Sequence, residues 1–401
     1  MRYLAFVSLL ALFACTGTID DNTSGGNDIS EPSTANLLIF EDMEGSPVTV
    51  SEILMMSDVL PEKELHIKLE TPTSRVDITS VLEVDKIAAY EFYIVSQTGM
   101  PYYGQGQFYA PSYGGLRKTI TLHKGLAWKT KQIRSGLKWY NYEGYEPLSG
   151  EQQVINILEM NLDSDAMKLE FQYYPEKQKI SEVANGDSKI LAVVNASFGS
   201  GFTSGDPVDN TYIRVDGVNH KEISIGPEDT GNWWKHEAAV WYDGVKELGV
   251  ISKPNDPHGA IELYKSTTYP NLFSSNVLLI EDGKRSDMNA YSKNFGKSSS
   301  KDPRTLLAVT KDRKLLLMTV DGRWADKAAG MSYRELQNFL MTFFNPEFAI
   351  NMDGGGSTSM FVKGYKVVNY PCEGVSGDTY KPYPGTFKER GLVTYFAIKE
   401  K

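Results

Sequence analysis

Three consecutive glycines separate two apolar runs in "PEFAINMDGGGSTSMFVKG", Pro346 to Gly364. A backbone with no Cβ at three successive positions is a poor helix and a poor strand interior, so the chain must break there. "PEFAINMD" reads as a buried strand ending at Asp353. "TSMFVKGYKVVNY" reads as a hairpin turned at Lys363-Gly364. The break is therefore strand–loop–strand, with one carboxylate on a bare loop. Bare backbone lets another group approach closely and exposes successive N–H groups. Ser357, Thr358 and Ser359 add short hydroxyls. The pattern suits a polar or phosphate-bearing ligand beside a fixed carboxylate; equally, an Asp before glycines can simply cap a bend. It is not a P-loop, because no Lys stands in the required place and a strand, not a helix, follows.

Strand signals dominate the rest. "QQVINILEMNL", "MKLEFQYY", "KILAVVNASFGSG", "TYIRVDGV" and "NVLLIEDGK" read as strands, and "RTLLAVTKD" with "KLLLMTVDG" as a hairpin around Lys311-Asp312-Arg313. "GLVTYFAI" is a last strand. The clearest helix is "MSYRELQNFLMTFF", with Ser332 and Glu335 as a capping box and Leu336, Phe339, Leu340 and Phe343 as its apolar stripe. Upstream, "ELHIKLE", "RVDITSVLEV" and "KTITLH" alternate like half-buried strands. "MPYYGQGQFYAPSYGG" between them is either a turn-rich strand pair or a sugar-stacking surface. The expected class is α+β: a mixed-sheet catalytic domain with few helices over 130–401, preceded by a small β-rich domain over 36–129. A length of 401 residues fits two domains at about 150 residues each.

The N-terminus reads as an address. Met1-Arg2 is a short basic start, and "YLAFVSLLALFA" is too short for a permanent membrane helix. "LFAC" then resembles a bacterial lipoprotein signal ending at Cys15, with residues 16–35 as a flexible tether. Thr16, rather than Asp, after the Cys implies outer-membrane sorting, lipid-anchored on the periplasmic or cell-surface side. The other cysteine, Cys372, then has no disulfide partner and reads as structural. A net charge of −10 argues against nucleic acid as a partner. Five scattered histidines, His66, His123, His220, His236 and His258, show no zinc-ligand spacing. No cofactor is expected, with Ca²⁺ or Mg²⁺ held by Asp and backbone carbonyls left open.

Four blocks in order resemble the phosphodiester glycosidase family: "VVNASFGSG" with Asn195, "DPRTLLAV" with Arg304, "LLLMTVDGR" with Asp321-Gly322-Arg323, and "NMDGGGSTSM" followed by "KERGLVTYFAI". The resemblance runs from about Ile133 to Lys401. It implies hydrolysis of the bond between a sugar anomeric carbon and a phosphodiester oxygen, in a phosphate-linked glycan or sugar-1-phosphodiester. That reaction builds positive charge on the ring and negative charge on the departing phosphate. A carboxylate serves the first and arginines the second. Asp353 is then the ring-side nucleophile or stabiliser and Glu389 the general acid/base, the two roles being exchangeable. Arg304 and Arg390 are the phosphate clamps. Asn195 binds a sugar hydroxyl or phosphate oxygen, the N–H groups of Gly354, Gly355 and Gly356 line the anion site beside Ser357, and Asp321 is a lesser candidate.

Two features strain this assignment. Glu389 and Arg390 are adjacent, so along a strand they face opposite ways. Ala196 and Ser197 also replace a glycine usual in the family, which narrows the pocket or changes the sugar. The aromatic insert from about Thr230 to Asn271 offers Trp233, Trp234 and Trp241 either as a sugar platform or as a subdomain core. Two other functions compete: a non-catalytic cell-surface glycan-binding lipoprotein, and a phosphodiesterase breaking the P–O bond. The second ordinarily needs a His- and Asp-rich metal cluster that this chain lacks.

Overall fold

The computed structural model describes residues 37–42, 44–57, 65–78, 90–96, 101–104, 117–122, 126, 128–146, 148–198, 211–221, 233–291, 300–344, 346–375 and 380–401. The expected signal, tether and lipidation site lie outside them, as does most of the Tyr/Gly-rich run after Gly104. The protein is α+β and mostly strand, with three α-helices among the described residues.

An eight-stranded antiparallel sheet dominates. Its centre runs Pro346–Asn351, Arg304–Thr310, Lys314–Val320 and Glu151–Asn161, and Leu137–Glu146 follows on one side. These central strands are apolar on both faces because both are covered. A five-stranded sheet contains Met167–Gln178, Leu392–Glu400, Ile190–Asn195, Met360–Val362 and Lys366–Val367 in that order. A third, also five-stranded, is built around Asn271–Ser275 and Ala238–Tyr242. Phe171 and Phe396 of the second sheet meet Tyr242 and Phe273 of the third, with ring centroids 4.7–5.8 Å apart. The strands of the first 121 residues pair only with one another, in sheets of three and four. One of those pairs, Leu37–Glu41 with Arg117–Thr121, is parallel.

The Tyr333–Phe343 helix forms with its capping box: Glu335 N–H donates to Ser332 Oγ at 3.2 Å and Ser332 N–H to Glu335 Oε2 at 2.8 Å. Leu336, Phe339 and Leu340 are fully buried in the main core. The Lys311–Arg313 hairpin and the Lys363-Gly364 turn lie where the sequence puts them.

Two expected single strands are instead hairpins. "TYIRVDGV" folds back at Asp216-Gly217 and "NVLLIEDGK" at Asp282-Gly283, with all four residues at φ between 50° and 79°. Asp-Gly is the pair that tolerates two successive left-handed residues, so the turn chemistry overrode the run of strand formers. Two helices were not foreseen, Ile180–Gly186 and Pro257–Ser266. The second carries legible signals, an Asp256 side chain accepting from Gly259 N–H at 2.9 Å and Pro257 at its first turn. The aromatic insert is subdomain core as far as its described side chains go. Trp241 stacks flat on Tyr269, 3.9 Å between centroids, and lies over its cross-strand partner Gly249. Trp234 is buried edge-on against Phe198.

This architecture puts the glycine break at a crossing. Pro346–Asn351 belongs to the large sheet and Met360–Val362 to the second, so residues 352–359 carry the chain between them. Arg304 opens the neighbouring strand of the large sheet, and Asn195 closes a strand of the second. The helix should report on the packing of this crossing's large sheet. Phe339→Ala should lower unfolding stability by about 3–5 kcal/mol, and Ser332→Ala, which loses only the cap, by about 1 kcal/mol. Urea denaturation of both variants checks the contrast.

Candidate active site

The crossing is held by one side chain. Asn195, fully buried, donates from Nδ2 to the Asp353 carbonyl at 2.6 Å. Its Oδ1 accepts from Thr305 Oγ1 and from Ser359 N–H, both at 2.9 Å. Both acceptor positions of the amide oxygen are thereby used. Asn195 therefore ties the two ends of the loop and a strand of the other sheet together, and its amide oxygen has no acceptor position left for a sugar hydroxyl.

The glycines also serve a different purpose from the expected one. A Cβ on Gly354 would sit 2.6 Å from the Pro303 carbonyl oxygen, and one on Gly356 2.6 Å from Arg390 Nη2. Their bareness is consumed by protein groups pressing on the loop. The N–H of Gly355 donates to Pro303 O at 2.9 Å, so that donor is not free to line an anion site.

Asp353 itself is 4% exposed and lines a cavity of about 210 Å³. Its neighbours in that wall are Asp302, Arg304, Arg323, Tyr333, Asn351, Phe198, Gly354 and Gly355. Burial pushes the Asp353 carboxyl up to about 6, against the opposing effects of the Ser357 hydroxyl, Arg390, Lys235 and the Gly354 N–H. The aromatic insert thus bears on the site through a cation, Lys235.

Arg304 stays where the sequence puts it, buried at the cavity. Its Nε donates to Met331 O at 2.8 Å, its Nη2 to Ser300 O at 2.7 Å, and its guanidinium lies 4.3 Å from the Tyr333 ring centroid. Arg323 is the cation that sequence reasoning passed over in favour of its neighbour Asp321. Asp302 binds it at 3.1 Å and lies 4.0 Å from Arg304, while Arg323 Nη1 donates to Val375 O at 2.9 Å. Asp302 and Arg323 both fall inside family-like blocks, beside residues chosen for their motif position. Only folding reveals that one carboxylate bridges two arginines.

Three expected site residues lie elsewhere. Glu389 accepts from Ser181 N–H at 3.0 Å, at the start of the Ile180–Gly186 helix, and does not line the cavity. Arg390 turns the opposite way, to Glu373 and, at 3.1 Å, to Ser357 Oγ. The two adjacent side chains thus take different partners, and only Arg390 reaches the loop. Arg390 acts on Asp353 from behind the loop, through Ser357 and through its charge. Asp321 is buried behind the same loop. Its oxygens accept from Asn369 Nδ2 and Tyr370 N–H, both at 2.8 Å, and Asn369 Nδ2 also reaches Thr358 O at 3.1 Å. Burial pushes Asp321 up to about 7, against those two hydrogen bonds. Asp321 is framework, not a cavity wall. Cys372 is buried and burial raises its thiol to about 11, in keeping with a structural thiol. Among the described residues, no three His, Cys, Asp or Glu side chains cluster to hold a metal ion.

A buried carboxylate that lines a small cavity together with two arginines, on a loop of this pattern, coincides with a family match. The phosphodiester glycosidase family model matches residues 188–390, and the chain belongs to that family. Among solved structures, the fold is similar to the catalytic domain of zebrafish N-acetylglucosamine-1-phosphodiester alpha-N-acetylglucosaminidase auto-inhibited by its pro-peptide. The two are 19% identical with a TM-score of 0.47, over 68% of this chain and 88% of that one. A hypothetical protein from Synechocystis is 13% identical, TM-score 0.42, over 92% of each chain. A putative exported protein from Burkholderia pseudomallei is 14% identical, TM-score 0.38, over 62% of this chain and 74% of that one. No curated protein sequence matches the chain.

The raised carboxyl has a stability consequence. Between about pH 4 and 6 the folded protein keeps a proton on Asp353 that the unfolded chain has released, so this group's contribution falls as pH rises through that window. Above it, the buried charge destabilises fully. Asp353→Asn should therefore raise stability at pH 7.5 by about 1–3 kcal/mol, with the gain disappearing near pH 4. Thermal melts of both proteins across this range check it. Gly354→Ala, whose Cβ meets backbone, should cost about 1–3 kcal/mol and at least tenfold in activity, read by the same melts and an assay.

Proposed function

We propose that the protein hydrolyses the glycosidic bond between a sugar anomeric carbon and a phosphodiester oxygen, releasing a free sugar and a phosphate monoester. The observation that carries this reading is Asp353, a buried carboxylate sharing its cavity with Arg304, Arg323 and the aspartate that holds both. Cleavage of the C–O bond sends its electron pair to the phosphate oxygen and leaves positive charge on the ring. Asp353, ionised above about pH 6, stabilises that centre or attacks it; water then bonds to the anomeric carbon, displacing the carboxylate if it has attacked, and releases a proton to solvent. Arg304 and Arg323 take up the charge on the departing phosphate, with Asp302 setting their spacing. A phosphate monoester is a good leaving group, so the step needs little protonation from an acid. This removes the need for Glu389 in the role first expected of it. Fixed charges walled in by protein act more strongly than the same groups in solvent.

The strands before residue 122 are proposed to form a separate unit that spaces or orients the enzyme. Cys15 is proposed to carry lipid that anchors it to the outer membrane. Incorporation of labelled palmitate, lost in Cys15→Ser, tests the anchor.

The reaction is tested in ¹⁸O-enriched water with N-acetylglucosamine-1-phosphodiesters and other hexose-1-phosphodiesters. Label in the sugar supports C–O cleavage; label in the phosphate would make the protein a phosphodiesterase; glycan binding without turnover would make it a binding lipoprotein. The log of kcat/KM should rise with pH and level off near 6. Asp353→Asn should lose at least about 10³-fold, and Arg323→Gln about 10²-fold. Glu389→Gln should stay within about threefold of wild type, because Glu389 caps a helix away from the cavity.

A further inference from the structure

Asn351 ends its strand two residues before Asp353, lines the same cavity, and is 1% exposed. Its Nδ2 donates to Asn276 Oδ1 at 2.9 Å and to Met352 O at 2.8 Å. Its Oδ1 is a buried acceptor with no partner. Buried acceptors are ordinarily satisfied, and one left open in a cavity wall calls for a donor from outside the protein.

The polarity of this amide is imposed from the backbone. Val277 N–H donates to Asn276 Oδ1 at 2.8 Å, so Asn276 must turn its Nδ2 to Tyr333 Oη, 2.7 Å away. With Asn276 Oδ1 thus facing Asn351, only the NH₂ side of Asn351 can face it in return. A flipped Asn351 would set its one amide oxygen against both Asn276 Oδ1 and Met352 O. The main chain thereby determines that an acceptor, not a donor, is left over on this residue of the cavity wall. An oxygen acceptor takes only a donor, so its complement is an O–H or N–H and not an ionised phosphate oxygen, which the arginines of the same wall suit instead.

We propose that Asn351 determines sugar specificity: its Oδ1 accepts a hydrogen bond from one ring hydroxyl or amide N–H of the sugar held against Asp353. The inference rests on the cavity being the sugar site of the function proposed above. A site built to receive a donor discriminates strongly against an analogue lacking it, because the buried acceptor then stays unpaired.

The test is a matrix of substrates and variants of the full chain. The substrates are a hexose-1-phosphodiester, its 2-acetamido counterpart, and analogues in which each ring hydroxyl or the acetamido group is replaced in turn by hydrogen. The enzymes are wild type, Asn351→Ala and Asn351→Ser, each checked for folding by its melting temperature. At one ring position, loss of the donor should lower wild-type kcat/KM by about 10- to 100-fold, and either folded variant should lose that discrimination while keeping it elsewhere. Whether the sensitive group is a hydroxyl or the acetamido N–H tells which donor is read. A uniform loss on all substrates would make Asn351 merely structural and overturn the proposal. So would a wild type indifferent to every deletion, whether or not the variants fold. If no phosphodiester is turned over at all, the reaction reading fails, and the same comparison is made on binding of the sugar 1-phosphates by titration calorimetry. A donor-specific loss there still supports the role of Asn351, and no binding of any of them overturns it.

Discussion

The amide of Asn195 holds the two sheets of the catalytic region to one geometry. With three hydrogen bonds it joins the start of the crossing at Asp353, its end at Ser359, and Thr305 on a neighbouring strand of the large sheet. The residue is fully buried, so a lost partner would leave an unpaired polar group in an apolar setting. This cost is what makes the loop a rigid element of the fold. Asp353 inherits its position from the same bonds, because its carbonyl is one of the anchored atoms.

Around that anchor the packing is dense enough to dictate residue type. Pro303 and Arg390 press on positions 354 and 356, where only hydrogen atoms fit. The Asp321–Asn369–Thr358 chain supports the loop from behind. A carboxylate held this way cannot move to relieve its desolvation, so its proton affinity rises. The buried carboxylate therefore carries a stability cost that the surrounding framework offsets. The arginines are placed by the same economy of means: each is fixed by main-chain carbonyls, and one aspartate sets the distance between them.

Much of the fold was legible from local chemistry. The capping box and apolar stripe of the Tyr333–Phe343 helix, the hairpin at Lys311–Arg313, and the strands on either side of the glycine break follow from periods and turn residues that act over a few positions. The errors have local causes too. Asp216-Gly217 and Asp282-Gly283 were turn signals read through as strand, and Asp256-Pro257 was a helix start inside a segment notable for its tryptophans. At the site, Asp353 and Arg304 were found in the cavity wall. Asn195, the glycines and Asp321 were recognised as special, but their demand comes from packing and hydrogen bonding within the protein.

By itself, the sequence determined that the chain is strand-rich α+β, that it must break at Gly354–Gly356, and that a carboxylate stands at that break, because turn chemistry and side-chain periodicity are properties of neighbouring residues. Only the tertiary structure decided which groups meet Asp353. Asp302 and Arg323 are brought to it by strand register and by the crossing between sheets, whereas Glu389 is carried off to the helix start at Ser181. Those placements depend on contacts between residues tens to hundreds of positions apart. No local pattern records them; the closing of the two sheets on each other does.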